Sequence, residues 1–489
     1  MTHVTSLKRS TMVASLWSIL RSVWVAIVTF VLFAVLARLL APADFGVFAL
    51  ASILVQIATI VASAGFGNAI VREPAYSETF VNTVFWCVLG MSILAAALLI
   101  GAAPFYARLV GAEGTVPGIQ WLAFLLPLTT LTTVPSALLT RNFQHKSLAI
   151  QSIASSLSGG IVAVAMALQG WGVWSLVGQA FVGGIVGMAM IWRMSPWRPA
   201  LKFDARLVRG LLVFSSSIMA TQILWMLLVR VQEIFISRWH GPDAVGHYRI
   251  AWRLIELISQ SLLSPIGSVA LVTFSHVQDQ RERFQAIYAR MVGIAGLATF
   301  PALLGIGAVS PILLPLLFGE RWAAAIPVSE VLVLMCVPFV LNFFTGPALT
   351  SVNRPRANLW IAALQLTLTV IFTWIAVPYG LVAVAAAYVA RAWITMIPQQ
   401  LILACHTGIS LAGTTRAILP ALAAAVAMAA AVRAAAGPLV ARFGAGWETG
   451  AATVVMGLLL FPAIMFALGH DPRREIRDLL QTVRKQKEA

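Results

Sequence analysis

Residues 37–51 read ARLLAPADFGVFALA, and residues 237–251 read SRWHGPDAVGHYRIA. At an offset of 200, Arg38 falls on Arg238, Pro42 on Pro242, Gly46 on Gly246, Phe48 on Tyr248 and Ala51 on Ala251. Both copies occupy short polar breaks between long apolar runs. Further out, ALLTRNFQHKSL (137–148) matches ALTSVNRPRANL (348–359) at an offset of 211, and Gly172 answers Gly380 at 208. The matches keep their order and fall at corresponding ends of apolar runs, so the chain is internally duplicated.

The solvent of this chain follows from its composition: 489 residues, 60% hydrophobic, 10% charged, with a mean hydropathy of +0.90. A soluble domain carries far more charge. In hydrocarbon every backbone polar group must be satisfied within the protein, which leaves helices of about 20 residues or closed barrels. The Leu-, Ala-, Val- and Ile-rich runs select helices, and fourteen of them begin near residues 13, 45, 80, 117, 147, 171, 210, 244, 291, 328, 358, 380, 416 and 449. Gly170, Gly172, Pro378 and Gly380 supply tight turns where two runs nearly touch. Lys8 and Arg9 precede a run from Met12 to Ala37 that is too long for a signal peptide, which makes it a retained first helix.

The expected architecture is therefore an all-α polytopic membrane protein of about 14 transmembrane helices. Residues 1–195 form one six-helix lobe, 196–209 a basic linker, 210–404 a second lobe, 405–470 two additional helices and 471–489 a basic tail. Six is even, so both lobes start on the same side and the repeats are parallel. Such repeats belong to transporters whose substrate cavity lies between them near mid-membrane.

A net charge of +16 invites a polyanion as partner. Sorted by the fourteen-helix reading with a cytoplasmic N-terminus, however, 22 of the 33 Lys and Arg lie on the cytoplasmic side, 6 on the other and 5 inside helices. That is the positive-inside bias, and it reports topology rather than a nucleic-acid partner. Cys87, Cys336 and Cys405 show no metal-ligand or redox spacing. No Walker loop, dinucleotide fingerprint, nucleophile elbow or HExxH motif is present, so the sequence names no cofactor and no catalytic residue.

What remains is charge inside helices, where each ionised group costs about 2.5–3.5 kcal/mol near the bilayer centre. The arginines are Arg21, Arg230, Arg249, Arg253 and Arg391. In helix eight, Arg249, Arg253, Glu256 and Gln260 follow at i, i+4, i+7 and i+11 and share one stripe; in helix seven, Gln222, Arg230 and Glu233 do the same. Arg253–Glu256 and Arg230–Glu233 are equally spaced for structural i, i+3 ion pairs. Arg21 and Arg391 have no acid at helical spacing, which favours a lumen over lipid for them. Trp17, Trp24, Trp225, Trp252 and Trp393 either stack on sugar rings or anchor and pack the helices. Arginine in excess of carboxylate suits an anionic cargo, because its planar fork holds phosphate bidentately. Glu233 and Glu256 either balance these cations or take up a coupling proton or Na⁺.

The RLLAPADFGVFALA block, followed by GFGNAIVREP at 65–74, resembles the amino-terminal signature of Wzx-type polysaccharide flippases, in the oligosaccharide branch of the MOP exporter superfamily. Glu233 followed by GPDAVGHY is similar to the family's repeated element. The resemblance implies a V-shaped, MATE-like pair of lobes with a cationic cavity. It implies translocation of an undecaprenyl-pyrophosphate-linked oligosaccharide across the bacterial inner membrane for exopolysaccharide, capsule or O-antigen. Polysaccharide polymerase and glycosyltransferases are the implied partners, beside the lipid bilayer. Three other functions stay open at this point: a lipid II flippase, a cation-coupled multidrug antiporter with an acid-dominated cavity, and a non-transporting scaffold of glycan assembly. The chain departs from the family picture in concentrating its charges in helices seven and eight, the first lobe offering mainly Arg21.

Overall fold

The computed structural model describes residues 24–25, 27–63, 65–73, 77–142 and 144–469. Among them every regular element is helical. In chain order these are α1 (Ile27–Leu39), α2 (Pro42–Ser63), α3 (Phe66–Arg72), α4 (Glu78–Val110), α5 (Thr115–Thr130), α6 (Thr133–Arg141), α7 (His145–Leu168), α8 (Val173–Met194) and α9 (Ala205–Ile258). They continue as α10 (Ser264–His276), α11 (Arg281–Phe318), α12 (Ala325–Leu332), α13 (Cys336–Ser351), α14 (Pro355–Ala376), α15 (Leu381–Thr407), α16 (Leu411–Phe443) and α17 (Trp447–Ala467).

Twelve of the described helices are long and apolar enough to cross a membrane. One of these stretches, Met219–Leu263, is broken at Gly241 (φ 81°, ψ 174°) and holds two expected helices. Ile27–Leu39 is the described part of the first expected helix, so each of the fourteen apolar runs is helical over its described residues. Outward-facing side chains such as Leu98, Phe105, Ile161, Leu458 and Leu459 are exposed, an apolar surface of a kind that soluble monomers do not carry. The protein is an all-α, multi-pass membrane protein.

Contacts divide the chain into two compact units, 1–249 and 250–489. Residues 210–249, which the repeat assigns to the second lobe, group with the first unit. The reason lies in the turn at Gly241. Proline cannot continue a helix from behind, and Gly241 takes the positive φ that lets the chain reverse. Just before that reversal Ser237 packs on α4, where its hydroxyl donates to the Val110 carbonyl at 2.8 Å.

The quoted repeat explains the rest of this joint. A Cβ on Gly46 would lie 1.8 Å from the Pro242 carbonyl oxygen, and one on Gly246 would lie 2.0 Å from that of Pro42. The glycine of each copy therefore packs on the proline of the other, and only a residue without a side chain permits either approach.

At the opposite end of α2, the GFGN signature forms α3, whose Phe66 and Ile70 are fully buried. Arg141 closes that turn by donating to the carbonyls of Ile70, at 2.8 Å, and Glu73. The basic linker is pinned along the start of α4. Asn82 accepts from the Ala200 amide at 2.7 Å, Trp86 donates to the Ala200 carbonyl at 2.9 Å, and Thr83 accepts from the Asp204 amide at 3.0 Å. Asn82 and Thr83 are wholly buried beneath it. Replacing Asn82 with Ala leaves a linker amide unsatisfied at a cost of about 1–3 kcal/mol. We expect trypsin to cut after Lys202 several-fold faster in that variant, as followed by gel or mass spectrometry.

In the second unit α11 packs along α16, with Ala308, Val309 and Ile312 against Met428, Val432 and Ala436. Gly172 (φ 54°) and Gly380 (φ 101°) open α8 and α15, as their matched positions require.

Candidate functional site

In the first unit, α9 carries the polar stripe expected of helix seven. Glu233 is 1% exposed and accepts from Arg230 at 2.9 Å and from Arg249 at 3.5 Å, both on Oε1. Its Oε2 has no hydrogen-bond partner among the described residues. The two arginines retain 11% and 16% of their side-chain exposure and converge on this one carboxylate oxygen. Beside it, the Tyr248 hydroxyl donates to the buried Gln232 amide oxygen. Arg249 reaches Glu233, sixteen residues earlier, because the chain turns back at Gly241.

Further along the same helix, Thr221, Gln222, Trp225 and Met226 face Gln56, Thr59 and Ile60 of α2 across a cavity of about 500 Å³. Gln222 and Arg230 are eight residues apart, roughly 12 Å along a helix. The cavity is lined by two amides, two hydroxyls, one indole and the apolar side chains of Ile60 and Met226, with no charged side chain. Amides and hydroxyls exchange hydrogen bonds with sugar hydroxyls, and an indole face covers the apolar side of a pyranose. A cationic cluster nearby suits a phosphate.

In the second unit, Arg253 donates to Glu256 at 2.7 Å, both side chains being partly exposed. Arg391 belongs to another set. It is 3% exposed, and its guanidinium lies 4.3 Å from the centre of the Tyr388 ring. That ring is held edge-on by Trp252 at 5.2 Å. Beside Arg391 runs a neutral network in which Gln399 donates to Asn342 and to Thr345, each at 2.8 Å, and Gln365 donates to Gln399 at 3.0 Å.

Arg21 and Trp17 lie outside the described residues, as does the side chain of Gln260. Of the tryptophans, Trp252 is buried packing, Trp393 donates to the Leu334 carbonyl at 3.0 Å, Trp24 is 37% exposed, and Trp225 lines the cavity. The sequence reading did not single out Gln56, Thr59, Asn342, Gln365, Thr395 or Gln399. The signal available for the last two was their i+4 and i+8 spacing from Arg391 on one helix face.

Comparison with known proteins bears on the same features. A family described as polysaccharide biosynthesis protein matches residues 35–327. The chain is 29% identical, over 72% of each sequence, to the succinoglycan biosynthesis transport protein ExoT of Rhizobium meliloti (strain 1021). To the lipopolysaccharide biosynthesis protein WzxC of Escherichia coli (strain K12) it is 24% identical over 70% of this chain and 69% of the relative. Among solved structures, the lipid II flippase MurJ in an inward closed conformation superposes with a TM-score of 0.75 at 12% identity, covering 96% of this chain and 100% of that one. An inward-facing multidrug resistance MATE family transporter of the MOP superfamily superposes with 0.55 at 15% identity, over 81% and 96%. At these identities the two structures speak for the fold alone.

Proposed function

Because the chain belongs to the polysaccharide biosynthesis protein family, we propose that it is a flippase. It moves an undecaprenyl-pyrophosphate-linked oligosaccharide from the cytoplasmic to the periplasmic leaflet of a bacterial inner membrane, for exopolysaccharide, capsule or O-antigen. The observation that carries this reading is one helix, α9, bearing a neutral cavity wall at Thr221, Gln222 and Trp225 and a cluster in which Arg230 and Arg249 converge on Glu233. The glycan occupies the cavity between α9 and α2, the pyrophosphate draws on the arginines, and the polyprenyl tail stays in lipid. Access alternates as α2 and α9 part and close; no covalent step is needed.

The excess of Lys and Arg on one side of the fourteen-helix reading supports cytoplasmic termini. Residues 1–195 and 210–404 act as the two repeats of the transporter, with 405–470 and the tail outside them. Glu233, whose second oxygen is unpartnered, is the group we assign to proton or Na⁺ coupling, with Glu256 in charge balance. A polymerase and glycosyltransferases acting on the same glycan are the fitting partners. The likeness to ExoT, named for succinoglycan biosynthesis transport, and to WzxC, named for lipopolysaccharide biosynthesis, favours this cargo over lipid II or a drug.

The test is complementation of a strain lacking this gene. Trp225→Leu and Gln222→Ala, at normal membrane levels, are expected to lower surface glycan about tenfold, the effect of roughly 1.4 kcal/mol. They should also leave lipid-linked glycan on the cytoplasmic leaflet. Wild-type surface glycan in both variants would remove the cavity from the transport path. Restoration of lipid II transport, or drug efflux without a glycan phenotype, would change the cargo class.

A further inference from the structure

Arg391 is the tenth residue beyond the start of α15, about 15 Å along a helix of 27 residues, and so lies deep in the membrane. A guanidinium does not lose its proton there. Among the described residues no carboxylate lies within ion-pair distance, and its buried Nε has no hydrogen-bond partner. The face of Tyr388 supplies a ring quadrupole, which attracts a cation without neutralising it. Arg391 lines a cavity of about 30 Å³ together with Asn342, Gln365, Thr395 and Gln399.

The lining is neutral apart from Arg391. The amide oxygens of Asn342, Gln365 and Gln399 already accept hydrogen bonds within the network, and the Thr395 hydroxyl donates to the Arg391 carbonyl at 2.9 Å. Both Nε2 hydrogens of Gln399 are used, but Asn342 Nδ2 makes a single bond, at 3.5 Å. The donors that the lining has left are the Arg391 N–H groups and one Asn342 N–H. A buried, acid-free cavity holding a fixed cation takes an anion. Its volume exceeds the roughly 10–15 Å³ that one water-sized probe occupies, which is room enough for a monoatomic ion.

We propose that the second unit contains a halide site, in which one chloride is held by Arg391 and Asn342 and neutralises the arginine inside the helix bundle. The site is separate from substrate binding on α9 and does not depend on the cargo. Chloride is then a structural ligand of the folded protein, and stability follows its concentration by mass action.

The test uses the full-length protein in nanodiscs, with sodium chloride exchanged for sodium gluconate at constant ionic strength. Chloride is expected to raise the melting temperature saturably, by about 3–5 °C, with bromide acting likewise and inorganic phosphate and sulfate without effect. In Arg391→Met the chloride dependence disappears, and in Asn342→Leu its midpoint moves to at least tenfold higher chloride. If Arg391→Met fails to fold, the wild type still decides: crystals grown in bromide should show an anomalous peak within hydrogen-bond reach of Arg391. Equal melting temperatures in chloride and gluconate, a chloride effect that persists in Arg391→Met, a larger effect of phosphate, or no bromide peak would each overturn the proposal.

Discussion

Gly246→Ala is expected to abolish surface glycan in complementation and to lower the melting temperature of the purified protein by several degrees. The added methyl carbon would sit 2.0 Å from the Pro42 carbonyl oxygen, 2.7 Å from its carbon and 3.0 Å from Cα, all of them backbone atoms. No rotamer change relieves such a clash, so the start of α2 and the segment after Gly241 must move apart by more than an ångström. Overpacking costs about 1–3 kcal/mol where side chains yield, and a backbone clash belongs at or above the upper end. Gly46→Ala meets Pro242 in the same way, at 1.8 Å, and should reproduce both effects. Because either substitution opens the same joint, the double variant should be markedly less than additive. Gly90→Ala, with nothing within 4 Å of its added carbon, is the neutral control. Wild-type stability and transport in Gly246→Ala would show that this joint is not closed in the working protein.

The second large effect is expected at Glu233. Glu233→Gln keeps the shape and an acceptor oxygen but removes the charge shared by Arg230 and Arg249. Breaking a buried ion pair by neutralising one partner costs about 3–5 kcal/mol, since the other charge is stranded. Arg230 makes its ion pair with Glu233 alone among the described residues, so it bears most of that loss. Both stability and transport should fall, the latter to background. Adding Arg230→Gln restores the wild-type net charge of the cluster and should recover most of the stability. Transport should stay absent if the arginine is needed for pyrophosphate. Recovery of transport along with stability would make Arg230 and Glu233 a helix fastener and nothing more.

Hydropathy located the described helices well because lipid imposes the rule that it measures. The largest miss is instructive. The ninth apolar run begins near residue 291, whereas α11 begins at Arg281, and the added turns carry Arg281, Glu282, Arg283 and Arg290. A helix can extend beyond hydrocarbon, and an apolar-run search ends where the charge begins. Arg230 and Glu233 were legible as a pair from their i, i+3 spacing. The helix-eight stripe assigned Arg249 to the company of Arg253 and Glu256, yet Arg249 reaches Glu233 across the turn at Gly241. Periodicity describes one face of one helix and is blind to what a chain reversal brings opposite. The amides around Arg391 escaped for another reason: neutral polar residues are cheap enough in a helix to be common, so a search for costly charges passes over Asn342, Gln365 and Gln399.

The joint between the two copies of the repeat has a history written into its contacts. Pro42 meets Gly246 and Pro242 meets Gly46, so that residue i touches j while the equivalent of j touches the equivalent of i. That reciprocity is the signature of an isologous interface, the kind through which two identical subunits associate about a twofold axis. A six-helix ancestor would have needed a single proline and a single glycine to build both halves of it, and one substitution would have struck twice. Fusion into one chain lifted that constraint, leaving the joint symmetric while Ala49 and Ile53 in one copy correspond to Arg249 and Arg253 in the other. The protein therefore keeps a homodimer's contact at its seam and a heterodimer's freedom everywhere else.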